Sequence, residues 1–316
     1  MRVALLDDYQ RIARDCAPWE TLGADVEIVS FPDHVADDDA LVARLAGFDV
    51  VVAMRERTPL GRARLERLTD LRLLVTTGSG NASIDAAAAG ELGVVVCGTD
   101  GLAAPTVELT WALILALARH VPAEDRAMRA DGWQSTIGTD LEGRTLGVLG
   151  LGRLGARVAT IGRAFGMDVI AWSQNLIPAR AAALGVRAVT FAQLLADADV
   201  LTIHTRLSDR TRGLVGAPEL AAMRPGALLV NTSRGPIVDE DALVAALHAG
   251  EIGGAGLDVF DVEPLAAGHP LRTAPHTVLT PHLGYVSTGN YRVFYGGAVE
   301  AIAAWRAGAP VRVLPA

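Results

Sequence analysis

The 316 residues exceed one domain of ordinary size, so two domains of middling size are expected. The chain is 51% hydrophobic and 20% charged, and its net charge of −8 disfavours nucleic acid or anionic membrane as a partner, because both need a basic surface. Two cysteines, Cys16 and Cys97, stand without CxxC spacing, so neither a disulfide framework nor a metal site is indicated, and both are expected to pack in a core.

The chain opens on "MRVALLDD", which reads as a short buried strand because it lacks the apolar region and cleavage site of a signal peptide. Apolar runs "VALLD", "VEIVSF", "DVVVAM", "LRLLVTT" and "GVVVC" then alternate with helical stretches such as "ADDDALVARLAG" and "GRARLERLT". Strands this hydrophobic, separated by helices, predict a parallel sheet covered on both faces. The unit closes near Thr99, giving a first domain over residues 1–99. "AMRERTPL" sets Arg55 and Arg57 after its third strand, where Arg55 is a candidate contact for a polar or anionic substrate tail.

A helix follows from Thr106 to Val121, with Pro105 in its first turn. It is apolar on nearly every face, so one side is expected to pack beyond its own domain, including in a homodimer, with Leu113 as an outward residue. Its run "WALILALA" from Trp111 is too short to span a bilayer, and a cytoplasmic protein is expected. A second alternating series runs through "TLGVLGLG", "DVIAWS", "VLTIHT", "ALLVNTS", "GAGLDVF" and "TVLTPH", forming a dinucleotide-binding domain over 100–285. The tail, 286–316, carries a helix in "GNYRVFYGGAVEAIAAWRAG" that returns to the first domain. The expected architecture is α/β: two doubly wound parallel-sheet domains with a ligand cleft between them.

Gly150, Gly152 and Gly155 fit G-x-G-x-x-G between a strand and a helix. The first glycine permits a tight turn, the second lets a pyrophosphate approach the backbone, and the third lets helix and strand pack closely. Around Arg153 and Leu154 the helix amino terminus offers free N–H groups and a positive dipole end. At the end of the next strand, "AWSQN", an acid would repel the extra phosphate of NADP. Ser173 and Asn175 carry no charge yet can hydrogen-bond a ribose hydroxyl, so a permissive site accepting NAD or NADP is expected.

Three later stretches, "NTSRGPIVDEDAL", "GLDVFDVEP" and "LTPHLGYVS", lie at the carboxyl ends of strands, where sites of open α/β sheets form. They place Arg234, Asp258, Glu263 and His282 beside the dinucleotide loop. Together these supply an anion holder, carboxylates and a proton donor.

In this order, GLGRLG, NTSRG, GLDVFDVEP and TPHLG, the chain resembles the D-isomer-specific 2-hydroxyacid dehydrogenase family over essentially its whole length. The resemblance implies a flavodoxin-like substrate domain and a Rossmann domain, with NAD or NADP reducing a small 2-keto acid of the glyoxylate or hydroxypyruvate kind. It implies that Arg234, Glu263 and His282 are catalytic. It implies that Ser79 and Gly80 of "TTGSGNASID" present backbone amides to the substrate carboxylate, which Arg234 and His282 also meet. Thr106, His204, Thr205, Thr232, Asp258, His282 and Gly284 are the further residues implied to line the cofactor. The chain departs from the family pattern at Arg206, where a proline is usual, and at Tyr285, where a small residue is usual. Two other readings of such a fold are a redox-sensing regulator, disfavoured by the retained trio, and formate or phosphite oxidation.

Overall fold

The computed structural model describes residues 1–315 and divides into two compact units. One runs from Met1 to Leu102 and resumes at Val286; the other is Ala103–Tyr285.

In the first unit the strands are β1 (Arg2–Leu5), β2 (Glu27–Ser30), β3 (Val50–Ala53), β4 (Leu73–Thr76) and β5 (Val95–Cys97). They pair in the order β2-β1-β3-β4-β5, every pair parallel, which is the flavodoxin-like doubly wound order. Helices α1 (Asp38–Leu45), α2 (Arg62–Leu65) and α3 (Ala86–Glu91) connect them. Asp37 and Asp85 cap α1 and α3 by accepting the N–H groups of Ala40 and Ala88. The last helix of the chain, Thr288–Arg306, closes this unit: it buries Tyr291, Phe294 and Tyr295, and Tyr295 meets Trp19 edge-on with ring centres 6.1 Å apart. Cys97 is fully buried and Cys16 partly so.

The second unit begins with α4 (Ala104–Ala118) and α5 (Val121–Arg129). A seven-stranded sheet follows, of β6 (Thr145–Leu149), β7 (Asp168–Trp172), β8 (Arg187–Ala188), β9 (Val200–Ile203), β10 (Leu228–Asn231), β11 (Gly254–Leu257) and β12 (Thr277–Leu279). Between the strands come α6 (Arg153–Ala164), α7 (Pro178–Ala183), α8 (Phe191–Asp197), α9 (Ala217–Ala221) and α10 (Glu240–Ala249), with the closing helix of the first unit as α11. The strand order is β12-β11-β10-β9-β6-β7-β8, all parallel, so the winding reverses between β6 and β9. Loops after those two strands flank the switch point, where ligands of open sheets bind. Alternation distributes β6 between two cores: Leu146 and Val148 pack with α4 and α6, while Leu149 packs with α8 and α10. The two-residue edge strand β8 is the one strand missing from the sequence reading.

One expectation fails. Helix α4 ends at Ala118, and Leu113 is not outward but 1% exposed. It packs on the sheet of its own unit, at a point where β11 has no side chain: a Cβ on Gly256 would lie 3.2 Å from that of Leu113 and 3.1 Å from Leu117 Cδ1. The exposed stripe of α4 is Glu108, Ala112 and Leu115. Accordingly Leu113→Ala is expected to cost about 2–5 kcal/mol of stability, and Leu115→Ala no more than about 0.5 kcal/mol. Urea midpoints of the two variants check this; equal losses would refute the packing.

A half-buried histidine follows β9 at the switch point. His204 Nε2 stands 2.9 Å from the Thr202 hydroxyl, and burial pushes its imidazole from 6.5 down to about 4. The folded value lies below the unfolded one, so as pH falls the unfolded chain binds the proton first. Stability from this site is therefore whole above pH 6.5 and is lost toward pH 4, by about 3 kcal/mol in all. His204→Gln is expected to flatten that part of the stability–pH curve, measured by denaturant unfolding between pH 7 and 4.

Candidate active site

At the carboxyl end of β6 the glycine loop does what its spacing requires. Gly150 has φ +103°, and a Cβ there would lie 2.7 Å from both the His204 carbonyl carbon and the Thr205 nitrogen, across the switch point. At Gly155 a Cβ would collide with the Gly150 carbonyl oxygen, so the first turn of α6 sits directly on the loop. Gly152 is different, since a Cβ there would meet nothing within 4 Å. It opens onto a groove of about 880 Å³ and precedes an α6 terminus that no side chain caps. Unfilled space over uncapped N–H groups at a helix start suits a pyrophosphate. Ser173, at the end of β7, accepts the Leu151 N–H at 2.8 Å and so ties the loop to the adjacent strand. Asn175 and Thr205 line the same groove.

The catalytic candidates stand on the loops after β10, β11 and β12. His282 Nδ1 lies 2.6 Å from Glu263 Oε2, and Glu263 Oε1 accepts the Phe260 N–H at 2.9 Å, which fixes the carboxylate against its own loop. The imidazole is 16% exposed and the carboxylate 30%. Tyr285 meets the His282 ring edge-on with centres 5.5 Å apart, so the bulk that departs from the family pattern supports the imidazole from the side. Arg234 is half-buried, and its guanidinium donates to the Ser233 carbonyl at 2.6 Å. Its loop is held by Asn231, whose side chain donates to the Arg234 carbonyl at 2.9 Å and accepts the Ser233 N–H at 3.0 Å. The following Gly235 abuts Phe260 so closely that any Cβ would collide with the Phe260 carbonyl. This contact places the arginine loop against the glutamate loop.

His282 has φ +55°, a left-handed backbone that costs a non-glycine residue of order 1 kcal/mol or more. Asp258 holds it there. Fully buried, its carboxylate accepts the Thr280 hydroxyl at 2.6 Å and the N–H groups of Leu283 and Gly284, each at 2.7 Å. Burial pushes the Asp258 carboxyl up, while the Thr280 and Leu283 bonds, the nearby His282 and the Gly284 bond oppose it. Asp258, which the family resemblance implies to line the cofactor, turns both oxygens to the turn that carries His282. Thr106 braces the same turn by donating to the Gly284 carbonyl at 2.8 Å, and Thr232 bonds Thr110 at 2.8 Å. These contacts join α4 to the carboxyl ends of the strands.

In the first unit Ser79 and Gly80 are exposed on the loop after β4. Asn81 steadies that loop by donating to the Thr76 hydroxyl at 2.9 Å and to the Arg55 carbonyl. The Arg55 guanidinium donates to the Thr77 carbonyl at 3.0 Å and pairs with Glu56 at 3.4 Å. These contacts anchor Arg55, the candidate contact for a substrate tail, to the loop after β4. Arg57 lies over the Tyr9 ring, 4.7 Å from its centre.

Residues 111–284 match the family described as D-isomer specific 2-hydroxyacid dehydrogenase, NAD binding domain. A glyoxylate reductase of Aeropyrum pernix is 43% identical over 228 residues, covering 69% of this chain and 68% of that protein. A D-3-phosphoglycerate dehydrogenase of Bacillus subtilis is 37% identical over 262 residues, covering 82% of this chain and 49% of that protein. The chain thus spans about half the length of the phosphoglycerate dehydrogenases it matches. The crystal structure of a phosphoglycerate oxidoreductase from Vibrio cholerae superposes with a TM-score of 0.93 at 37% identity, covering 98% of this chain and all of that one. With the family match spanning more than half its length and both parallel-sheet folds in place, the chain belongs to the D-isomer-specific 2-hydroxyacid dehydrogenases, NAD(P)-dependent oxidoreductases acting on CH–OH donors.

Proposed function

We propose that the protein interconverts a small 2-keto acid and its D-2-hydroxy acid, of the glyoxylate or hydroxypyruvate kind. The observation that carries this reading is the Glu263–His282 pair at 2.6 Å, on a loop braced against that of Arg234. When bound, the reduced nicotinamide supplies a hydride to the keto carbon. Glu263 engages Nδ1, which leaves Nε2 of the imidazolium to give the keto oxygen its proton. After that transfer the neutral ring keeps its Nδ1–H on Glu263, so its orientation is unchanged. Arg234 offers a planar fork to the carboxylate and to the oxygen on which charge develops. The exposed amides of Ser79 and Gly80 are assigned to the substrate carboxylate on the strength of the family resemblance. The same reading places the enzyme with the soluble nicotinamide pool of the cytoplasm.

The reading includes a homodimer, although not through Leu113. Apolar surface concentrates in the segment after α4: Val121 is 53% exposed, Met128 58%, Trp133 75% and Ile137 92%. Side chains of that size are costly to leave in water, and a second copy of the same surface would cover them.

Two outcomes are expected. His282→Ala should lower the turnover of keto-acid reduction about a hundredfold or more, while nucleotide affinity measured by titration calorimetry stays near that of the parent. Near-normal turnover at saturating substrate would remove the imidazole from the mechanism. For assembly, the parent should sediment as a dimer at micromolar concentration, and the double change Trp133→Glu, Ile137→Glu should yield a folded monomer. A monomeric parent would refute the interface.

A further inference from the structure

The groove that opens at Gly152 has an unusual charge for this molecule. Its lining includes Arg153, Arg180, Arg206 and Arg210 and, among the described residues, no carboxylate. The chain as a whole carries 36 acidic residues against 28 arginines and no lysine. Among the described residues none of these four arginines enters an ion pair, whereas most surface arginines of the first unit are paired, such as Arg44 with Asp33 and Arg64 with Asp38. All four are exposed. Four unpaired cations around one concavity repel each other, a cost relieved when an anion of high charge enters.

Their placement separates two phosphate positions. The Gly150–Gly155 turn and the start of α6 already meet the needs of a pyrophosphate through backbone N–H groups. The turn after β7 is the ribose end: Leu176 N–H bonds back to the Ser173 carbonyl at 3.0 Å, and this leaves Gln174 and Asn175 exposed on the groove. Arg180 belongs to α7, which leaves this turn, and lines the groove beside them. Arg153 is the first residue of α6, two positions beyond Leu151, the residue bonded to Ser173. Among the described residues no acid lines the groove at this turn, and Arg153 and Arg180 line it together with Ser173, Gln174 and Asn175. A 2′-phosphate monoester carries close to two charges near neutral pH and suits such forks.

We propose that this groove selects NADP over NAD, with Arg180 as the reader of the 2′-phosphate, Arg153 its partner, and Arg206 and Arg210 adding positive potential from the loop after β9. The assignment rests on the dinucleotide reading of the glycine loop. It sharpens the permissive site expected from "AWSQN": the sequence places no arginine directly after the strand, but α7 returns one to the groove seven residues later.

The test compares adenosine 2′,5′-bisphosphate with adenosine 5′-monophosphate by titration calorimetry, alongside kcat/KM for NADPH and NADH. The bisphosphate should bind the parent protein at least tenfold more tightly, and NADPH should be preferred by a similar factor. Arg180→Ala should reduce the bisphosphate-to-monophosphate ratio at least fivefold, while Arg187→Ala, outside the groove, should leave that ratio as it is in the parent. Equal binding of the two nucleotides by the parent would overturn the proposal and leave the dinucleotide reading standing. So would an Arg180→Ala variant that weakens both in the same proportion, because that arginine would then serve a phosphate common to both. If neither nucleotide bound, the dinucleotide reading would fail and the proposal with it.

Discussion

The catalytic half of this structure hangs on one buried carboxylate. Among the described residues Asp258 pairs with no cation at hydrogen-bond distance; it is satisfied by one hydroxyl and two main-chain N–H groups, all from residues 280–284. A carboxylate buried without such donors would be driven to the neutral form, and as an acid it would keep fewer accepting sites for the turn. Held by three donors it acts as a template. The turn wraps around it, His282 is placed in a left-handed conformation, and its ring meets Glu263. Thr106 secures the other side of the same turn at Gly284, so contacts that never touch the imidazole help to position it alongside Glu263 and Tyr285, which do. Precision at a reacting atom commonly comes from such a supporting layer.

Much of this was legible in the sequence, and what was not has a physical cause. Parallel strands declare themselves because both faces are buried, so each reads as an unbroken apolar run. The glycine loop is legible because its demands are local: a positive φ at Gly150, open space at Gly152, contact at Gly155. Arg234, Glu263 and His282 stood out because strand ends collect sites. Helix α4 was misread for the opposite reason. A helix apolar all round has no preferred direction, and what settles the inward face is the absence of side chains on Gly254 and Gly256 of a strand more than a hundred residues later. That Asp258 holds this turn was not legible because its partners lie 22 to 26 residues further along, and only the fold says which way its oxygens turn. The four groove arginines come from separate segments, so no window of sequence shows them as a cluster. The two-residue strand β8 is too short for any period to register.

The two units also differ in how they were completed. Every strand of the first unit is made before residue 103, yet its last helix arrives only after the whole of the second unit. That helix contributes Tyr291, Phe294, Tyr295, Ala298 and Ile302 to the interior, and Asn290 accepts the Leu102 N–H at 2.7 Å. At a synthesis rate of about 5–20 residues per second, the ribosome needs roughly 10–40 s to travel from Leu102 to Thr288. For that interval the nascent five-stranded sheet lacks the helix that packs on β4 and on residues 13–22, while the second unit has every strand and helix it needs as soon as it emerges. The order of maturation therefore runs against the order of the chain: the nucleotide-binding unit finishes first, and the amino-terminal unit waits with an apolar surface that aggregation or a chaperone can reach. A circular permutation that moved Thr288–Arg306 ahead of Met1 would remove that wait.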